Sequence, residues 1–400
     1  MDKRRFLIGM AVISIFFFGL SVEQTAADQR ELVVSLAASE EYNDNIFFTF
    51  DDEIDDFITT LSGGLLFRNN TERSNLFLSG RLERLIYSDE KDLDATDQYY
   101  SGTFNYRLTE RLGAGVEAAY TKDSRPDRDV AATGLILSTI PRQIQVYGGS
   151  LDYALTEITN SNLFYRYTQQ DFEPRSGLPS FDDYRAHRAG AGLTHRLDRY
   201  LANTTGRLNF GYNRFNYPTT NTETDVYFGT VGVSRELTEK WRILIDLGPS
   251  YYESKFQVLG EEITNRGWGV TGLVELTYTG EFTGTSFSLF HGIEPASGQF
   301  GSSQRTSAII NAFYRFAERG RAGVSAGYFI NKADAGDLAL LPVNEDTINF
   351  RPWLRFDIIF NKLYLEASYT YSRIKDKEVD DTRDRNLVWL KLGLDYPVLE

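Results

Sequence analysis

Thr347-Ile348-Asn349-Phe350-Arg351-Pro352-Trp353-Leu354-Arg355-Phe356-Asp357-Ile358 is the stretch that decides the fold. Ile348, Phe350, Leu354, Phe356 and Ile358 alternate with Thr347, Asn349, Arg351, Arg355 and Asp357, a period of two rather than 3.6. Successive side chains of an extended chain point to opposite faces, so one face suits hydrocarbon and the other water. The run outlasts the usual five or six residues of a soluble strand and matches the nine to eleven or so that a tilted membrane strand needs.

The same alternation recurs on either side. In 362–373, Leu363, Leu365, Ala367, Tyr369 and Tyr371 oppose Tyr364, Glu366, Ser368, Thr370 and Ser372. In 321–332, Ala322, Val324, Ala326, Tyr328 and Ile330 oppose Arg321, Gly323, Ser325, Gly327 and Asn331. The connections form two alternating classes. Short ones repeat an apolar residue followed by small, polar or charged ones: Leu108-Thr109-Glu110-Arg111, Leu155-Thr156-Glu157, Leu197-Asp198-Arg199, Leu237-Thr238-Glu239-Lys240, Phe316-Ala317-Glu318-Arg319 and Phe360-Asn361-Lys362. They recur roughly every forty residues, the length of one membrane hairpin. Longer loops rich in Asp, Pro, Asn and Gly lie between them, at 123–141, 171–183, 216–223 and 375–384. Short turns face the periplasm and long loops the exterior in such proteins.

These markers place strands near 31–48, 57–68, 75–88, 96–108, 111–122, 142–156, 160–171, 184–197, 203–215, 223–236, 241–256, 264–279, 284–295, 303–316, 321–332, 345–358, 362–374 and 385–396. The expectation is all-β: one antiparallel up-and-down transmembrane barrel of 18 strands over 28–400, with 16 as the alternative count. An even count lets a single antiparallel chain close, and closure leaves no unpaired edge in lipid. A change of phase at Gly148-Gly149 predicts a β-bulge.

Lys3, Arg4 and Arg5 precede the apolar run 6–20, and Thr25-Ala26-Ala27 supplies small residues, the pattern of a signal peptide over 1–27 cleaved after Ala27. The apolar run is shorter than the roughly 20 residues of a membrane helix. With no Cys anywhere there is no lipid attachment, disulfide or thiolate chemistry. The bacterial outer membrane is the expected destination. The net charge of −14 argues against nucleic acid, which needs a basic footprint. Mean hydropathy of −0.35 is compatible with a barrel, whose apolar residues are hidden as alternate positions.

Chemistry for catalysis is sparse, so an enzyme is not expected: three His, no Cys and no Gly-x-Ser-x-Gly elbow. His187 and His195 share a predicted strand and His291 stands alone. No cofactor and no metal is expected; the acidic residues Asp51, Asp52, Glu53, Asp55 and Asp56 suit a solvated loop better than a Ca²⁺ site, because the Asp-x-Asp-x-Asp-Gly pattern is missing. Tyr87, Tyr120, Tyr217, Tyr278, Tyr371 and Tyr396 at strand ends fit interfacial girdles.

The informative constellation is the inward face. On the non-apolar parity the basic residues are Arg81, Arg107, Arg166, Arg188, Arg196, Arg207, Arg242, Arg305, Arg315, Arg321, Arg351, Arg355 and Lys391. The acids of that parity are fewer: Glu83, Glu117, Asp152, Asp246, Glu275, Asp357 and Glu366. In a protein negative overall, the acids have gone to the loops. A positive lumen with low-dielectric walls attracts anions; the alternative is that these charges merely pair and fill a closed barrel.

At Glu41-Tyr42-Asn43-Asp44-Asn45-Ile46-Phe47 the chain resembles the β-barrel porin type 2 family, whose members often carry a Tyr-Asn-Asp-Asn-Ile segment near the mature N-terminus. That resemblance implies an association with exopolysaccharide export, and secretion components as partners. The last predicted strand presents Val388, Leu390, Leu392, Leu394 and Tyr396 outward but ends Pro397-Val398-Leu399-Glu400, without the terminal aromatic usual for the assembly signal. The expected surroundings are outer-membrane lipid, lipopolysaccharide and the outer-membrane assembly machinery. The leading functional expectation is a porin-like channel for an anionic polysaccharide or other anionic solute. A non-transporting receptor, adhesin or assembly partner is the alternative.

Overall fold

The structure is a computed structural model describing residues 29–125, 127–135, 140–173, 183–258, 261–295, 301–339 and 342–399. The signal segment 1–27 and most of the loop 171–183 lie outside the described residues. The strands are β1 (Gln29–Asn43), β2 (Asp56–Asn70), β3 (Ser74–Tyr87), β4 (Ala95–Arg107), β5 (Leu112–Asp123), β6 (Arg142–Ala154), β7 (Thr159–Phe172), β8 (Tyr184–Arg196) and β9 (Thr204–Tyr217). They continue as β10 (Thr222–Glu236), β11 (Trp241–Val258), β12 (Glu261–Thr279), β13 (Thr283–Pro295), β14 (Ser302–Ala317), β15 (Gly320–Ala333), β16 (Val343–Ile359), β17 (Leu363–Asp376) and β18 (Asp381–Leu399). Each strand pairs antiparallel with its sequence neighbours, and β18 pairs back on β1 through register partners such as Leu36 and Leu394. The sheet of 18 strands is therefore closed. All backbone donors and acceptors of the wall can pair within it, the condition for crossing hydrocarbon.

Parity along the ladders separates the faces. Leu36, Leu65, Val116, Leu163, Phe210, Val231, Leu247, Val270, Leu354 and Leu390 stand exposed on the outside. Around β9–β12 the outward aromatics form a continuous run, with ring centroids 5.0 Å apart for Tyr212–Tyr227, 6.5 Å for Tyr227–Tyr251 and 5.2 Å for Tyr251–Trp268. Trp241 and Tyr278, 4.8 Å apart, mark the opposite rim. These are the interfacial girdles. Tyr87 and Tyr217 do not belong to them: both point inward and are buried beneath loops.

The short-turn repeat has a local cause. The hydroxyl oxygens of Thr109 and Thr238 accept from the amides of Leu112 (3.0 Å) and Trp241 (3.1 Å), closing each turn with a side chain. The preceding Leu108 and Leu237 remain exposed at the end of the apolar stripe.

Several expectations are corrected. Strand β1 stops at Asn43 instead of 48, because the Asn43 side chain accepts from the Asn45 amide and turns the chain. No bulge occurs at Gly148-Gly149, where both ladders run through in register. The change of phase there arises because Ile144 faces the lumen opposite Thr121 and Gln170, so apolar residues fall on both parities. Register shifts lie instead at Leu32/Val33, Arg315/Ala317 and Asp357/Ile359. The connections at 216–223 and 375–384 are tight hairpins, since the ladders extend to Thr222–Tyr217 and Asp376–Asp381.

Candidate functional site

The register places the basic residues of the expected inward set on the lumen side of the wall. Most of those on β3 and β6–β11 are paired. Arg166 meets Glu117 at 2.5 Å, Arg207 meets Asp246 at 3.1 Å, and Arg81 meets Glu83 at 3.4 Å while lying over the Tyr99 ring. Arg188 reaches Glu294 at 2.6 Å, a bond between β8 and β13 that spans the lumen rather than following the wall. Arg351 meets Glu366 at 3.7 Å and Arg355 meets Asp357 at 3.0 Å. Arg305 is buried and donates to Asn331 Oδ1 at 3.0 Å.

The others have no carboxylate within reach. Among the described residues Arg107, Arg196, Arg242, Arg315, Arg321 and Lys391 enter no ion pair. Arg196 donates only to the Glu157 carbonyl and Arg242 only to the Ser234 hydroxyl, and the Lys391 ammonium rests 5.5 Å from the Trp389 ring. Of the acids, Asp152 accepts from the Asn162 amide at 2.8 Å and Glu275 is in no ion pair. Arg315, Arg321, Arg355, Glu366 and Lys391 are successive register partners across β14–β18, so these charges form one continuous row on the wall.

Opposite this row, a lumen cavity of about 720 Å³ is lined by Asn105, Asn162, Asn209, Asn213, Phe164, Phe228 and Phe290 together with the Arg166–Glu117 and Arg188–Glu294 pairs. The two sides of the lumen thus differ. The β14–β18 side carries Arg315, Arg321 and Lys391, while the cavity side presents amides, phenyl faces and neutralised pairs, with Arg107, Arg196 and Arg242 beside the short turns at the ends of its strands.

The outer mouth is narrowed by loops. The described part of 124–141 leaves β5, crosses the lumen and binds the far wall: Arg125 meets Glu41 of β1 at 2.6 Å, Asp127 meets Arg385 of β18 at 2.7 Å, the Thr133 carbonyl accepts from Asn331 of β15 and the Gly134 carbonyl from Thr347 of β16. Its root is held by Arg142, which pairs with Asp123 at 2.9 Å and Asp129 at 2.5 Å. Burial pushes the Asp127 carboxyl up, but Arg125 and Arg385 outweigh it and hold the group well below the usual carboxylate range. Burial pulls the Arg128 guanidinium down to about 10, against the neighbouring Asp123. Leu338 and Ala339, from the β15–β16 connection, pack inward against Phe215 and Tyr217.

The Tyr42–Phe47 segment is a clasp. The Asp44 carboxylate accepts from the Asn386 amide and side chain, each at 2.7 Å, while the Asn45 side chain donates to the Asp384 and Thr49 carbonyls and accepts from the Thr49 amide. Asn45 is 0% exposed. These bonds carry the β1–β18 seam past the end of β1 and turn Ile46 and Phe48 inward, where Phe48 packs with Val130 and Ile374. His187, His195 and His291 hydrogen-bond singly to Tyr165, Thr159 and Thr306 on the outward face and are not brought together.

Parity counting omits Glu41, Arg142, Glu294 and Arg385, although each occupies an inward position on a recognised strand. Arg125, Asp127 and Asp129 lie on a loop, where no period marks them.

A closed sheet with a lipid-compatible outside, aromatic girdles and a charged lumen defines a transmembrane β-barrel of the bacterial outer membrane. No family model and no curated protein matches the chain. Among solved structures it is similar to Pseudomonas aeruginosa OccK2 (OpdF), with a TM-score of 0.49 and 12% identity over 93% of this chain and 99% of that one. Similarity to P. aeruginosa OpdK, in a structure with vanillate, is 10% identity at a TM-score of 0.45, covering 91% and 99% of the two chains. The alcaligin receptor FauA of Bordetella pertussis gives 0.43 and 12%, over 90% of this chain and 76% of its own. At these levels the assignment of the barrel rests on the strand pairing itself.

Proposed function

We propose that the protein is an outer-membrane conduit for anionic solutes. The observation that carries this reading is the surplus of unpaired lumen cations: among the described residues Arg107, Arg196, Arg242, Arg315, Arg321 and Lys391 enter no ion pair, whereas the inward acids other than Glu275 are mostly consumed by arginine or amide partners. Fixed cations between low-dielectric walls raise the local anion concentration and repel cations. A barrel of this strand number encloses enough space for water. The fuller reading is an anionic polysaccharide. Amides suit hydroxyl groups and phenyl faces suit sugar rings, so the cavity wall opposite the cation row fits a sugar chain, in line with the exopolysaccharide association that 41–47 implies by resemblance.

Planar-bilayer recordings in a salt gradient test the conduit. The reversal potential should favour Cl⁻ over K⁺, and Arg107→Glu with Arg242→Glu should move it toward K⁺. Absence of conductance across several salts would refute the reading. Narrowing of the outer mouth by the described part of 124–141 favours a second reading, a receptor that does not transport. It predicts ligand capture by the outer loops with flux indifferent to those replacements.

A further inference from the structure

We infer that Arg315, Arg321 and Arg355 form an oxyanion site at the periplasmic mouth, suited to a dianionic phosphoryl group. Arg315 stands directly opposite Arg321 in the β14–β15 ladder, and Arg321 directly opposite Arg355 in the β15–β16 ladder. Side chains so opposed start about 5 Å apart at Cβ, and like charges in that relation destabilise a sheet. A protein that needed only structure here would supply counter-charges. The one carboxylate in ion-pair reach of the three is Asp357, which Arg355 already engages at 3.0 Å; among the described residues Arg315 and Arg321 have none.

The local backbone supports a built site. Of the register shifts in the described ladders, those at Arg315/Ala317 and Asp357/Ile359 flank this cluster, on strands otherwise regular. Bulges re-aim side chains and gather next to functional sites. Arg355 is held further by the Tyr364 ring, 3.6 Å from its guanidinium carbon, so one member of the trio is fixed while two are free to close on a ligand.

Charge selects the class of ligand. Three guanidinium groups less the Asp357 carboxylate leave two positive charges, and the next register partners in the row, Glu366 and Lys391, offset each other; a tetrahedral dianion matches that charge and a carboxylate does not. Its oxygens also accept from more than one guanidinium fork. The adjoining turns are short, which puts the site on the periplasmic side, where a solute leaving the cell first meets the lumen. That consequence rests on the conduit reading; binding itself does not.

Calorimetry on the refolded full chain in detergent, at about pH 8 where phosphate is mostly dianionic, tests the site with inorganic phosphate, glucose 6-phosphate and acetate. Both phosphates should bind more tightly than acetate. Arg315→Gln combined with Arg321→Gln should weaken them about tenfold or more, while the outward-facing Arg214→Gln should not. Tighter glucose 6-phosphate than phosphate would assign the site to a larger phosphorylated solute, and equal affinities to the phosphoryl group alone. The inference is overturned if acetate matches phosphate, or if the double variant, folded by its gel mobility before and after heating, binds phosphate like the parent. Phosphate heats without bilayer conductance would sink the conduit and leave the site standing.

Discussion

Replacing Asp127 with Asn should release the loop that crosses the lumen. Asp127 joins Arg125 at 3.0 Å to Arg385 at 2.7 Å, and Arg385 is 2% exposed, stacked 4.3 Å from the Phe48 ring. Neutralising the carboxylate strands a buried guanidinium, and breaking a buried pair from one side costs about 3–5 kcal/mol. With partial access of water at the mouth we take about 3 kcal/mol, which shifts the docked-to-released ratio roughly a hundredfold. Single-channel recording should then show a larger conductance level that the parent visits rarely, and limited trypsin digestion should cut after Arg128 faster than in the parent. Arg385→Gln should act in the same direction. Unchanged conductance and unchanged cleavage in both variants would refute the claim that this ion pair holds the loop.

The same carboxyl sets a pH dependence: its folded-state pKa is depressed, so its contribution is complete above the ordinary carboxylate range and is lost only as pH falls through the lower folded value. Conductance should therefore hold steady from neutral pH through about pH 4, and opening near pH 5 would contradict the assignment. Asp44→Ala or Asn45→Ala should lower the temperature at which the barrel loses its compact gel mobility, by the roughly 1–3 kcal/mol of groups left unsatisfied, and hydrogen exchange should rise first at Asn386 along the β1–β18 seam. Leu390→Arg, on the lipid face at 50% exposure, should cost about 2–4 kcal/mol in refolding titrations, whereas Lys391→Gln next to it should alter selectivity with little loss of stability. Equal costs for the two would mean that the faces are assigned wrongly.

Much of the barrel was legible beforehand because parity is local. Each of the strands expected from alternation and turn spacing is present, and their even number follows from closure. The misread positions share a cause. At Tyr87 and Tyr217 loop residues cover the inward face near the outer rim, and Ile144 also faces inward, so apolar and aromatic residues fall on that face and the two-residue period no longer separates lipid from water.

The alternation in 347–358 by itself determines a membrane strand, with Arg351 and Arg355 on the face opposite Leu354 and Phe356, because neighbouring side chains of an extended chain must point to opposite sides. It could not determine which of those arginines is neutralised. That depends on register partners contributed by other strands, and in the case of Arg188 and Glu294 on a contact across the barrel. Nor could it send the described part of 124–141 into the lumen, since that part is held by Glu41, Asn331, Thr347 and Arg385, residues brought to one mouth only when β18 closes on β1.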